Sequence, residues 1–203
     1  TIDRDGDGLV DHLYFGDLGG QVFRADLNNT AGTTTANFGK RVVRLANLAT
    51  TTAGAALADG KNPRFYEAPT VTIHDQGATT FMLIGLASGN RSTPLDVFPI
   101  VGRDGMLPTT ALNDRLANNV YGIIDRDFIK RNLFTEVNNT DGTAFALSTQ
   151  NLNLSTLQKD PQLLTGNIPS VFIGVSATKN GWYRSLSSNS AGTERADNSF
   201  RIL

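Results

Sequence analysis

Residues 12–27, HLYFGDLGGQVFRADL, constrain the fold more than any other stretch of the chain. Two runs of aromatic and aliphatic residues flank Asp17-Leu18-Gly19-Gly20. Glycine and aspartate accept the backbone angles a tight reversal needs, so the segment predicts a β-hairpin. In its second run Phe23, Ala25 and Leu27 alternate with Arg24 and Asp26, the period of a half-buried strand.

The same pattern recurs. APTVTIHDQGATTFMLIGLASG (68–89) predicts a second hairpin turning at Asp75, Gln76 and Gly77. NNVYGIIDRD (118–127) predicts a third strand running into a polar turn. SVFIGVSATKNGWYRSL (170–186) predicts a fourth unit, with Asn180-Gly181 as its hairpin signal. KRVVRLANLA fits a strand or a short helix, and FIKRNLF a helical turn or a strand. Residues 28–39, 50–62 and 136–167 read as polar loops, and SFRIL as a last strand. Thr, Asn, Ser and Gly supply much of the polarity and compete with helical hydrogen bonding. The fold class expected is therefore all-β, and one unit over 1–203. The hairpins recur about every 45–55 residues, close to the length of a four-stranded propeller blade. A β-sandwich is the rival architecture.

Bulk properties remove several function classes. The net charge is −1, so no basic face for nucleic acid or anionic lipid is expected. Cysteine is absent, which excludes disulfides, thiolate metal sites and cysteine nucleophiles. With only His12 and His74, a multi-histidine transition-metal site within this chain is not expected. No stretch is apolar for long enough to form a transmembrane helix. The chain starts inside an aspartate-rich loop and reads as an excised fragment, so the lack of a visible signal peptide says nothing about export.

That loop, TIDRDGDGLVDH, crowds Asp3, Asp5, Asp7 and Asp11 into nine residues. Counted from Asp3, aspartates fill positions 1, 3 and 5, and Gly8 falls at position 6, where a calcium loop turns sharply. Leu9, at position 7, offers its backbone carbonyl. Asp11 stands at position 9, whereas position 12, the usual bidentate Glu, is Tyr14. The pattern thus follows an EF-hand in its first half and departs from it at the end. Asp11 can supply the closing carboxylate itself and hand the chain to a strand. Hard oxygen donors in a flexible multi-carboxylate cage favour Ca²⁺ over zinc and magnesium. A divalent cation also removes the mutual repulsion of the carboxylates. The expected ligands are Asp3, Asp5, Asp7, the Leu9 carbonyl and Asp11. A structural and a regulatory ion are both compatible with these residues.

The loop and its continuation, DRDGDGLVDHLYFGDLGGQVFRADL, resemble the signature of the PilY1 family of type IV pilus biogenesis and tip adhesin proteins. There an Asp-rich calcium loop runs into YxGDLxGxxWRFDL. Tyr14, Gly16, Asp17, Leu18, Gly20, Arg24, Asp26 and Leu27 fit, with Phe23 in place of Trp and Ala25 in place of Phe. RFYEAPTVTIHDQGATTFMLIGLASGNR, NNVYGIIDRD and NGWYRSLSSNSAGTER are similar to later blocks of the family, in the same order. The Gly85–Gly89 block is an imperfect version of the family's GTGR turn. The resemblance implies a modified β-propeller, of which this chain would hold about four blades' worth. It also implies calcium bound by the loop ligands, minor pilins of the tip complex as partners, and possible contact with host or abiotic surfaces. The implied location is the bacterial surface or pilus tip, with passage through the periplasm or outer membrane.

An enzyme is the main alternative in another class, since propellers also host quinone cofactors and hydrolytic carboxylates. Asp125 and Asp127 form a second acidic pair, but no nucleophile–base partner accompanies them, and no G-x-S-x-G occurs. They read as a turn after a strand. His12 and His74 read as surface or turn residues, and Trp182 and Tyr183 as core. No catalytic residue is assigned.

Overall fold

In a computed structural model of the chain, the described residues are 1–28, 39–57, 62–76, 79–89, 91, 118–130, 133, 146–147, 151–159, 172 and 177–185. They form an all-β arrangement of two sheets. The first has three strands in the order β1-β2-β3: β1 (His12–Gly16), β2 (Gln21–Leu27) and β3 (Gly39–Asn47). The second has five in the order β4-β5-β6-β8-β7: β4 (Thr70–Gln76), β5 (Thr79–Ala87), β6 (Asn119–Asp125), β7 (Gln158–Lys159) and β8 (Gly181–Ser185).

The first predicted hairpin forms as the turn chemistry dictates. β1 and β2 pair antiparallel from His12↔Asp26 to Gly16↔Val22. Asp17 closes the turn by accepting the Gly19 and Gln21 amides on its Oδ1 at 2.9 and 2.8 Å. Gly20 takes the left-handed conformation, φ 82°, that glycine adopts without a Cβ penalty. The ambiguous KRVVRLANLA segment is a strand, β3, paired antiparallel to β2. The second hairpin also forms: β4 and β5 pair from Thr70↔Gly85 to Gln76↔Thr79, and Gly77 lies outside the described residues. β5 adds β6, which adds β8, both antiparallel.

Two expectations change. Gly181 opens β8, whose described partners are β6 and the short parallel strand β7, rather than the other arm of a local hairpin. Most of 170–176, and SFRIL, lie outside the described residues. The polar stretch 136–167 is not wholly irregular. It contains a 3-10 turn, Leu154–Thr156, capped reciprocally by Asn153, followed by β7. Of the two readings of FIKRNLF, its described residues take the turn and not the strand, with Lys130 N–H donating to Asp127 O and Leu133 N–H to Lys130 O.

The two sheets share one core. Tyr14, Val22 and Leu45 from the first pack in a single cluster with Met82, Ile84, Tyr121 and Ile123 from the second. Phe65 lies between the two, edge-on to Tyr121 with ring centroids 5.7 Å apart. The opposite face of the second sheet carries another cluster, Phe81, Ile124 and Phe172, with Trp182 against it. Burial on both faces explains why β5 reads as the near-continuous apolar run FMLIGLA. Tyr183 is a core residue, as expected, and Trp182 is partly buried against the second cluster.

Candidate metal centre

The aspartate loop lies at the entrance to β1. Gly6 and Gly8 both take left-handed angles, φ 78° and 88°. These reversals fold the backbone around Asp3, whose two carboxylate oxygens accept the Gly6 and Gly8 amides at 2.7 and 2.8 Å. Asp5 accepts from Asp7 N–H at 3.2 Å, and Asp7 from Leu9 N–H at 2.8 Å. Short aspartate side chains bonding amides two to five residues ahead are what keep so polar a segment in one shape.

Asp11 is held from the strand side. Its N–H donates to Ile2 O at 2.8 Å and its carbonyl accepts Leu27 N–H at 2.8 Å. Its carboxylate Oδ2 accepts the Arg4 amide at 2.7 Å. Asp11 is fully buried, whereas Asp3 and Asp5 are exposed. One carboxylate oxygen from each of Asp3, Asp5 and Asp11 lies within 4.8 Å of the others. Oxygens bound to one calcium at 2.3–2.6 Å can stand at most about 5 Å apart. The three carboxylates therefore fit a hard divalent cation, with Asp3 and Asp5 opening the site to solvent for its remaining ligands.

Of the five expected ligands, the structure brings Asp3, Asp5 and Asp11 together. Asp7 stands outside that group and acts on the Leu9 amide. Leu9 keeps its place in the loop, with its side chain about half exposed.

Behind the loop lies a buried ionic cluster that strand periodicity does not reveal. Arg24 and Asp26, on β2, share the buried face with Val22, so the charged residues of the alternation point inward. Arg24 Nε donates to Asp26 Oδ1 at 2.8 Å, and its Nη1 to Asp125 Oδ2 at 2.5 Å. His12 Nδ1 stands 2.8 Å from the same Asp26 oxygen, and Arg41 Nε 3.2 Å from the other. Tyr14 donates its hydroxyl to Asp125 at 3.0 Å. The Asp125 Oδ1 in turn accepts the Asp127 and Phe128 amides. His12, expected at the surface, is fully buried, because its ring completes the shell around Asp26. Asp125 and Asp127 do lie at a turn after a strand, but both are fully buried, while Ile129 of the same turn is exposed. His74 lies on β4, half-buried, stacked on Phe81 and bonded to Thr72.

The cluster balances its charges. Two arginines face two aspartates with every distance at 3.3 Å or less. Burial opposes the Arg24 charge, yet Asp125 and Asp26 more than offset it and hold the guanidinium above its ordinary range. Burial, reinforced by the Asp125 charge, pushes the Tyr14 hydroxyl far up, so it remains a donor. Val22 shares the Arg24 face, but Phe23, Ala25 and Leu27 make the opposite face the more apolar one, so the strand pattern points the other way.

Comparison of the chain with protein-family models, with curated proteins and with solved structures returned no match.

Proposed function

We propose that this chain is a calcium-binding β domain of a type IV pilus biogenesis or tip protein. The observation that carries the calcium reading is the convergence of Asp3, Asp5 and Asp11 within 4.8 Å, in a loop whose turns need Gly6 and Gly8. The pilus reading rests on the order of motifs: the aspartate loop, the GDL hairpin beginning at Tyr14, and the GWY block beginning at Gly181.

The finer architecture proposed is a partial β-propeller. Two antiparallel-rich sheets packed on one core support it, since adjacent blades pack in that way. In this reading the ion ties the loop to the first strand of its blade. The domain acts with minor pilins at the cell surface or pilus tip. It supports assembly, the balance of extension and retraction, twitching and attachment. It does so by binding, not by catalysis.

Calorimetric titration with Ca²⁺ tests the site. The chain should bind one ion, and Asp11→Ala should bind at least tenfold more weakly. Equal binding by both overturns the site. For the pilus role, the loop is altered in a piliated host that expresses the protein, and piliation and twitching are measured. Unchanged behaviour overturns a regulatory role.

A further inference from the structure

Arg4 sits between Asp3 and Asp5, yet its side chain leaves the loop. Its Nη2 donates to the Lys130 carbonyl at 2.6 Å, across 126 residues of sequence. The guanidinium carbon lies 5.3 Å over the Phe128 ring. His12, which follows Asp11, packs edge-on to the same ring with centroids 5.7 Å apart. The loop of the first sheet therefore grips the turn that ends β6 in the second.

We propose that the aspartate loop and the Asp125–Lys130 turn open and close as one unit, with Arg4 as the clasp. The connection returns to the loop by a second route. Lys130 Nζ pairs with Asp127 at 2.9 Å, and Asp127 N–H donates to Asp125. Asp125 is bound by Arg24, Arg24 by Asp26, and Asp26 faces His12. A chain of polar contacts that is part-buried at Arg4 and Lys130 and buried from Asp127 to His12 has few partial states, because breaking an inner link strands its neighbours without partners. Segments joined in that way open together.

This clasp stands without an ion, and its consequence for calcium rests on the calcium reading above. Ordering Asp3 and Asp5 fixes the backbone on both sides of Arg4, and Asp11 holds its amide. An ion in the loop is then felt at Lys130, and by linkage a tightened turn raises affinity in the loop.

Residue-resolved hydrogen exchange tests the clasp. Arg4→Met keeps an apolar stem over Phe128 and removes the bond to Lys130. Without calcium, the amides of Phe128, Lys130 and Leu133 should exchange about tenfold faster in Arg4→Met than in the parent chain, the loss expected for one charge-assisted hydrogen bond. Those of Ile84 and Ile123, in the sheet core, should not change. Arg4→Lys keeps the charge, loses the fork and should fall between. Unchanged exchange at Lys130 and Leu133 in both variants overturns the proposal, as does a uniform rise that includes Ile84 and Ile123. Adding calcium chloride should slow exchange at Lys130 in the parent chain but not in Arg4→Met. If calorimetry shows calcium bound and Lys130 does not respond, the coupling is overturned and the calcium site stands. If no calcium binds, the calcium reading fails, and the metal-free comparison decides the clasp.

Discussion

Arg24 on β2 donates to Asp125 at the end of β6 over 2.5 Å, and neither side chain has exposed surface. The contact joins the two sheets through a charge pair set inside their shared core. A buried pair is poor evidence of net stability, because desolvation offsets most of its attraction. Breaking it from one side is another matter. Asp125→Ala leaves Arg24 charged and half-satisfied, strands the Tyr14 hydroxyl, and frees the Asp127 and Phe128 amides. It should cost about 3–5 kcal/mol. The double variant Arg24→Met/Asp125→Leu should recover only the part due to the unpaired guanidinium, because Tyr14 and the two amides stay without Asp125 and Asp26 loses Arg24. Urea unfolding of the two variants and the parent measures both effects.

The loop glycines predict a graded effect on metal binding. Gly8 has φ 88°, and a Cβ added there meets nothing within 4 Å. The cost of Gly8→Ala is then conformational alone, about 1–2 kcal/mol. Calcium affinity should fall about five- to thirtyfold, while Gly8→Asn, which tolerates the left-handed region, should lose less. Calorimetry on the two variants distinguishes them.

Alkaline pH should weaken the fold through two tyrosines. Burial pushes Tyr121 up to about 12, against hydrogen bonds from Asn119 and Ser88, and pushes Tyr14 up further. Both folded-state values are raised, so the unfolded chain loses these protons first. Their contribution is fully present below about pH 10, the ordinary tyrosine value. It declines as pH rises from there through about 12 for Tyr121. Tyr14→Phe should show a shallower decline than the parent in urea midpoints measured across this range.

Gly122 predicts a packing effect far from the loop. It pairs with Trp182 across β6 and β8, and a Cβ at Gly122 would lie 2.5 Å from the indole ring. Gly122→Ala must displace the only tryptophan in the chain, at a cost of about 1–3 kcal/mol. A shift in tryptophan emission with a lowered urea midpoint is the expected result. Calcium binding should be unchanged.

Metal linkage gives a final check. Calcium at about a hundredfold its dissociation constant should stabilise the parent chain by about 2.7 kcal/mol. The increment should vanish with chelator and fall to about 1.4 kcal/mol or less in Asp11→Ala. Thermal melts under the three conditions report it.

Local chemistry made the loop and the hairpins legible. Asp3, Asp5, Gly8 and Asp11 lie close in sequence, so their spacing alone limits how they can meet in space. Asp17, Gly19 and Gly20 specify a reversal within their own few residues, and the β4–β5 hairpin follows by the same rule. Asp7 shows the limit even here: its spacing matches a ligand, but its carboxylate is not in the group that Asp3, Asp5 and Asp11 form.

What the sequence by itself determined was therefore short-range: β structure, two hairpins and a carboxylate loop that can meet a cation. Only the tertiary structure decided which sheet each strand joined, which face of β2 turned inward and what became of His12. Arg24 and Asp26 read as a solvent face because exposure is the ordinary solution for isolated charges. They are buried because Asp125, 101 residues from Arg24, supplies the second carboxylate that makes burial tolerable. No local pattern carries that partner, since the desolvation of one charge is offset only where distant strands bring the opposite charge within bonding distance.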